Sequence, residues 1–384
     1  MNWLSRGLME PFRPGLPKSI QLDASQNSIG FIRLVLALVV IYSHTYDLSG
    51  LGYDVVKVLT ADSYSAGAIA VDGFFVLSGC LITASYFRVK SFYIFLWHRG
   101  LRIFPAYWVC IALSAIALPL LFGILPDVGY FWHNLLNPAL AAFQSAIGLV
   151  FPTLLGWAPD LAKVTEKIAW VKGQSTISTL FSTNPYADSI NSSLWTLGHE
   201  FRLYLLIGVL GWIGLLRKEV IIGLLLITWG AYALDASHET ALGSAEGLRT
   251  TTHFLMGAAF YFWTPPLNRS LILFSFVAGT LALLTQVYWL VSPLTTAYLM
   301  FWLANVLPFQ GFARKRDYSY GLYIYAFPIQ QALAAYGVSQ WGFMAYFALS
   351  VILTTLLAIP SWHWVERLAL SWKHAFSPRR LERS

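Results

Sequence analysis

The sequence predicts an all-α fold, a polytopic transmembrane helix bundle of about ten spanning helices plus one re-entrant or interfacial element. Three observations predict it. Only 11% of the 384 residues are charged, less than half of the roughly 25% typical of soluble globular chains. Hydrophobic residues make up 57% of the chain and the mean hydropathy is +0.60, which leaves too little polar surface to solvate several soluble domains. Apolar runs of about 20 residues, the length that crosses the hydrocarbon, recur along the chain. The net charge of +7 is read as membrane sidedness and not as nucleic-acid binding, because Lys and Arg mark the cytoplasmic side of membrane proteins.

Residues 1–27 contain Pro11, Pro14 and Pro17, with no long apolar core and no small-residue cleavage pattern. They are expected to form a cytoplasmic tail and not a signal peptide. The transmembrane domain is expected over 28–361, with spans near 28–48, 67–87, 103–123, 194–215, 219–234, 250–264, 270–291, 294–311, 319–337 and 341–361. The apolar run 136–157 carries Pro138 and Pro152 and leads into a polar stretch ending at Ser193. Sidedness decides how it is read. If it does not cross, 18 Lys/Arg fall inside and 5 outside, with Arg33 and Arg202 within helices. If it does cross, Arg217, Lys218 and the 314–316 cluster move opposite the Arg88–Arg102 cluster, against the positive-inside rule. Residues 136–193 are therefore expected outside, with 136–157 interfacial or re-entrant, and both termini cytoplasmic. Residues 362–384 form a basic cytoplasmic tail. Cys80 and Cys110 sit in apolar runs and are read as packing residues; no metal is expected.

The informative residues are ionisable ones inside spans, each costing about 2.5–3.5 kcal/mol at a helix centre when charged. Arg33 and His44 are eleven residues apart, about 20° off a whole number of turns and about 16 Å along one helix face. A snorkelling arginine with a core histidine competes with a functional pair. Arg99 and Arg102, three apart at a cytoplasmic boundary, read first as topology anchors and alternatively as a clamp for phosphate oxygens. "SSLWTLGHEFRLYLL" sets Glu200 and Tyr204 on one face, at a depth similar to His44. Asp72 enters the second span at a comparable level. A carboxylate near a histidine suits an orienting group for a general base. It suits equally a structural ion pair or a proton relay.

In this order the strings resemble the acyltransferase-3 family of integral membrane O-acyltransferases, from about Ile29 to Glu366. Arg33 and His44 meet its Arg-x10-His pattern, "VDGFFVLSG" its aspartate, aromatics and LSG segment, and Arg99 and Arg102 its Arg-x-x-Arg pattern before "IFPAYW". "SLWTLGHEFRLY" fits its Leu-Trp-Ser-Leu, Glu and Tyr pattern, with Thr196 replacing the common serine. "YSYGLYIYAFPI" resembles its late helix, with Ala326 where a histidine is common. "HWVERLA" resembles its terminal Glu-Arg-Pro ending without the proline.

The resemblance implies O-acylation of a carbohydrate or lipid-linked glycan hydroxyl from an acyl-CoA, usually acetyl-CoA, in a bacterial inner membrane, here as a stand-alone membrane domain without the SGNH domain some members carry. On that reading Arg33, Arg99 and Arg102 hold the donor's phosphates and the thioester reaches up the first helix to His44. An extended pantetheine arm of roughly 18–20 Å matches the separation. His44 acts as general base, Glu200 or Asp72 orients it, and Trp195 and Tyr204 line the acceptor pocket. The expected partners are acyl-CoA, glycan and membrane lipids. The competing class is a proton-coupled transporter or flippase with His44, Glu200 and Asp72 as its relay.

Overall fold

A computed structural model describes residues 26–125, 180–187, 189–234, 245–314 and 316–375. The expectations for 1–25, for the 136–157 element and for the end of the C-terminal tail lie outside them. Among the described residues the structure is helical and contains no strand. The helices are α1 (Ile29–Ser49), the short α2 (Val55–Leu59), α3 (Ala66–Val89), α4 (Phe92–Leu121), α5 (Trp195–Trp212) and α6 (Lys218–Leu234). They continue with α7 (Ala245–Trp263), α8 (Arg269–Leu284), α9 (Tyr288–Val306), α10 (Ser319–Ala335) and α11 (Phe343–Ser371).

Each of the ten expected spans corresponds to one of these helices, with shifted boundaries. Four of them, α1, α3, α4 and α11, are long and apolar enough to cross a membrane by length and composition; α8 is apolar but shorter. The largest shift is at α4, which begins at Phe92 and not near 103. Its first turns bury Phe95 while carrying His98, Arg99 and Arg102, an amphipathic start that a search for purely apolar runs passes over. Arg99 and Arg102 therefore sit in the body of a helix.

The chain divides into two compact units. The first comprises Met1–Val40, Asp54–Arg88 and Gly214–Ser319. In it α3 crosses α7 at backbone contact: a Cβ on Gly79 would lie 1.8 Å from the Phe254 carbonyl oxygen, and one on Gly257 1.9 Å from that of Val76. Small residues let helices approach this closely where apolar lipid provides little drive to associate. The start of α1 is tied to the end of α9, with Ser28 N donating to Ala304 O at 2.7 Å and Ser28 Oγ to Leu307 O at 2.7 Å. Asp54 caps α2 through Val56 N and also accepts from Ala66 N, both at 2.7 Å, fixing the entry to α3.

The second unit comprises Ile41–Tyr53, Val89–Ile213 and Tyr320–Ser384. Most of α10 lies in it, with Pro328 inside the helix. A proline has no N–H, so the carbonyl four residues earlier, that of Ile324, loses its helical donor. Asn191 Nδ2 donates to that oxygen at 2.8 Å and Cys110 Sγ at 3.2 Å. Gln330 reaches α1 at Ile41 O (3.0 Å) and Thr45 Oγ1 (3.2 Å). Gln331 donates to Tyr186 O and Ser189 O, at 2.6 and 2.7 Å, holding the segment that leads into α5.

The α3–α7 crossing is sensitive to a single methyl. Gly79→Ala and Gly257→Ala should each lower the melting temperature in detergent by an overpacking cost of about 1–3 kcal/mol. Gly223→Ala, on α6 with open space around its Cβ position, should match the wild type. Equal melting of all three would remove the close-approach argument.

Candidate functional site

In the first unit, Arg33 lies one turn into α1. Its Nη1 donates to Asp317 Oδ2 at 2.9 Å, and both side chains remain partly exposed, at 26% and 15%. The other Asp317 oxygen accepts from Ser319 Oγ at 2.6 Å and Ser319 N at 3.2 Å, which caps α10. Beside this pair lies a cavity of about 160 Å³ whose walls include Asn27, Gly30, Arg33, Leu81, Arg314 and Asp317.

Asp72, also in this unit, is fully buried on α3. Its Oδ1 lies 3.6 Å from Arg249 Nε and 3.6 Å from His253 Nδ1 on α7. His253 Nδ1 is also 2.8 Å from the Arg249 carbonyl. A carbonyl only accepts, so Nδ1 carries the proton and donates it to that oxygen. Tyr64 and Tyr232, whose hydroxyls are 2.9 Å apart, lie within electrostatic reach of Asp72 and Arg249. Asp72 thus has a cationic partner that the sequence reading did not name, since a span starting at 250 puts Arg249 just outside the membrane. The available signal was Arg249 and His253 four apart on a helical run.

In the second unit, His44 is half-buried on α1 and meets the Phe327 ring edge-on, centroids 5.1 Å apart. Phe327 also contacts Tyr186 at 5.9 Å. Thr45, next to His44, is fixed by Ile41 O at 2.8 Å and by Gln330. The position of the imidazole is therefore set by its own helix and by α10.

Arg102 Nη1 donates to Glu366 Oε2 at 2.9 Å, with side chains 16% and 2% exposed. Its guanidinium lies 5.4 Å from the Tyr320 ring centroid and 5.9 Å from that of Trp362, cation–π distances for a planar cation. Glu366 ends a π-helical turn, Trp362–Glu366, within α11. This is the glutamate of the "HWVERLA" string, and its arginine partner is 264 residues away. Tyr204 donates to Glu200 on α5, and Glu200 is within electrostatic reach of Tyr320. Trp195 is 42% exposed and its ring lies 6.1 Å from that of His199. Thr196 Oγ1 donates to Ser193 O at 3.0 Å and lies 2.7 Å from Tyr323 Oη. Its hydroxyl proton is thereby used, so Tyr323 donates to it. A serine there would make the same two bonds.

The second unit thus links Arg102, Glu366, Tyr320, Glu200 and Tyr204 in one neighbourhood, and places His44 with Phe327. Asp72 and Arg33 belong to the first unit, each with its own ionic partner. Removing one member of a buried pair leaves the other charge uncompensated, at about 3–5 kcal/mol. Asp72→Asn and Glu366→Gln should therefore reduce the folded yield in detergent and lower the melting temperature. Asp72→Asn combined with Arg249→Met should regain much of the loss. A double variant no better than Asp72→Asn alone would mean that charge pairing is not what holds this cluster.

The sequence profile of the acyltransferase-3 family, described as an acyltransferase domain, matches residues 26–363. The chain is 29% identical over 366 residues to a protein named O-acetyl transferase from Shigella phage Sf6, covering 90% of this chain and 96% of that protein. It is 26% identical over 398 residues to Nodulation protein 10 of Rhizobium leguminosarum bv. viciae, covering 95% of this chain and 99% of that one. No solved structure matches the chain. The matched stretch takes in Arg33 and His44 on α1, Arg99 and Arg102 on α4, and Glu200 and Tyr204 on α5, and with it the chain belongs to the acyltransferase-3 family of integral membrane acyltransferases.

Proposed function

We propose that this protein transfers an acetyl group from acetyl-coenzyme A to a hydroxyl of a carbohydrate acceptor, a cell-surface or lipid-linked glycan. The observation that carries the reading is α1 itself, one helix from Ile29 to Ser49 that bears both Arg33 and His44. The name of the phage relative, O-acetyl transferase, points to the same group and bond. Both bacterial associations among the relatives suit a bacterial cytoplasmic membrane, with both termini cytoplasmic by the positive-inside rule. Arg33 then lies toward the donor's compartment and His44 about 16 Å further along the helix.

In the proposed reaction His44 accepts the proton of the acceptor hydroxyl as its oxygen attacks the thioester carbonyl. The tetrahedral adduct collapses with cleavage of the carbon–sulfur bond, and the coenzyme leaves as a thiolate that takes the proton back from the imidazolium. The half-buried setting of His44 suits this role, since the ring is packed against Phe327 without being fully enclosed. Glu200 is the carboxylate assigned to the acceptor side, with Tyr204 fixing its orientation. Trp195, exposed on the first turn of α5, offers an aromatic face to a sugar. Asp72 is assigned to charge balance with Arg249. Arg99 is kept as a donor-phosphate ligand, whereas Arg102 is already held by Glu366.

Transfer of labelled acetyl from coenzyme A to isolated surface glycan by the purified chain tests the reaction; a transporter would neither hydrolyse the donor nor transfer the label. His44→Asn and His44→Gln can each replace one hydrogen bond at similar size but accept no proton near neutral pH. Both should insert normally, bind coenzyme A, and lose transfer by about 10²–10⁴-fold. Activity within a few-fold of wild type would sink the base assignment.

Sidedness has its own check. A cysteine replacing exposed Tyr53, in the segment after α1, should react with an impermeant maleimide in intact cells. One replacing Arg316 should react only after permeabilisation. Cys80 and Cys110 are buried, so background labelling is expected to be low. The reverse pattern would overturn the proposed direction of transfer.

A further inference from the structure

We infer that the cavity at the start of α1 binds a phosphate group of the acyl donor, with Arg314 as a recognition residue for it and Arg33 as its companion. This rests on the reading of the chain as a coenzyme-A-dependent transferase, and it names a residue that reading did not use.

The cavity's volume of about 160 Å³ is well above the about 10–15 Å³ that admits a single water, so a phosphate group and ordered waters fit. Its charged walls are Arg33, Arg314 and Asp317. Asp317 offsets Arg33 at 2.9 Å, and its second oxygen is taken by Ser319. Among the described residues no carboxylate pairs with the Arg314 guanidinium, so the walls carry a net positive charge supplied by that residue. Planar guanidiniums with several N–H donors are suited to phosphate oxygens.

Arg314 is held at the rim by backbone geometry. Its N donates to Gly311 O at 3.1 Å, and Gly311 N donates to Asn27 O at 3.2 Å, so the turn is tied to the residues that open α1. Gly311 and Ala313 adopt φ of 73° and 62°, which closes the turn. A Cβ on Gly30 would stand 2.5 Å from the Phe312 carbonyl oxygen and 2.6 Å from Ala313 Cβ. The absence of that Cβ lets the turn rest directly on the first turn of α1, beside Arg33. The bound anion and Asp317 share Arg33, whose side chain is partly exposed beside the cavity.

A phosphodiester of a lipid headgroup presents the same chemistry, and the test separates the two sources. Coenzyme A binding is measured by calorimetry on the full chain in phosphatidylcholine nanodiscs, for wild type, Arg314→Ala and Arg314→Lys. Loss of a charge-assisted contact of about 1.5–3 kcal/mol should weaken binding by the alanine variant roughly 10–150-fold. The lysine variant should recover part of it. Nanodiscs containing phosphatidylglycerol should leave wild-type affinity unchanged if the donor owns the cavity. An Arg314→Ala affinity within two-fold of wild type, with unchanged melting, would overturn the inference while leaving the functional reading intact. Competition by phosphatidylglycerol that disappears in Arg314→Ala would overturn the donor assignment in favour of the lipid. A wild-type protein that binds no coenzyme A at all would instead sink the functional reading, and this assignment with it.

Discussion

Lipid offers no hydrogen bonds, so each polar group that this chain carries into its helices has to be met by another part of the chain. Much of the internal architecture follows from that constraint. Pro328 removes the donor for the Ile324 carbonyl, and Asn191 and Cys110 close on it from two other segments. Gln330 and Gln331, adjacent on α10, reach different partners, one on α1 and the other on the segment before α5. Asp72 is balanced by Arg249, and Arg102 by Glu366. The helices are positioned as much by these polar obligations as by apolar packing, which in a bilayer does not distinguish a neighbouring helix from lipid.

The helices themselves were legible because their signal is local. A run of apolar residues near twenty long reports its own length, and ten of the expected segments have helical counterparts. The boundaries were less legible where polarity and helix overlap. α4 starts about eleven residues before its apolar run, because Arg99, Arg102 and His98 ride on its early turns. α7 starts at Ala245, which brings Arg249 into the helix and against Asp72. The same low polarity that reveals a span conceals the charged turns at its ends.

The ionic partners were not legible, for a different reason. Arg33 pairs with Asp317 and Arg102 with Glu366 across separations of 284 and 264 residues. No periodicity or spacing rule connects residues so distant, and either arginine could have faced a ligand, a lipid or a carboxylate. The arginines and His44 could be singled out because their positions on a helix face are computable from spacing. What each one touches depends on which helices meet, and that is a property of the tertiary structure.

The two arginine pairs also differ in a way that bears on function. Glu366 is 2% exposed and Arg102 is flanked by two aromatic rings. Separating that pair leaves a charge in an apolar setting, so a ligand that took Arg102 from Glu366 would have to supply several kcal/mol. Arg33 and Asp317 are 26% and 15% exposed and border a cavity. This pair is less enclosed than the Arg102–Glu366 pair, so less of its attraction depends on a dry setting. An anion entering the cavity would meet Arg33 beside Asp317, which keeps its bonds from Ser319. Of these two motif arginines, then, Arg102 fastens α4 to α11, and Arg33 is the one whose partner can change.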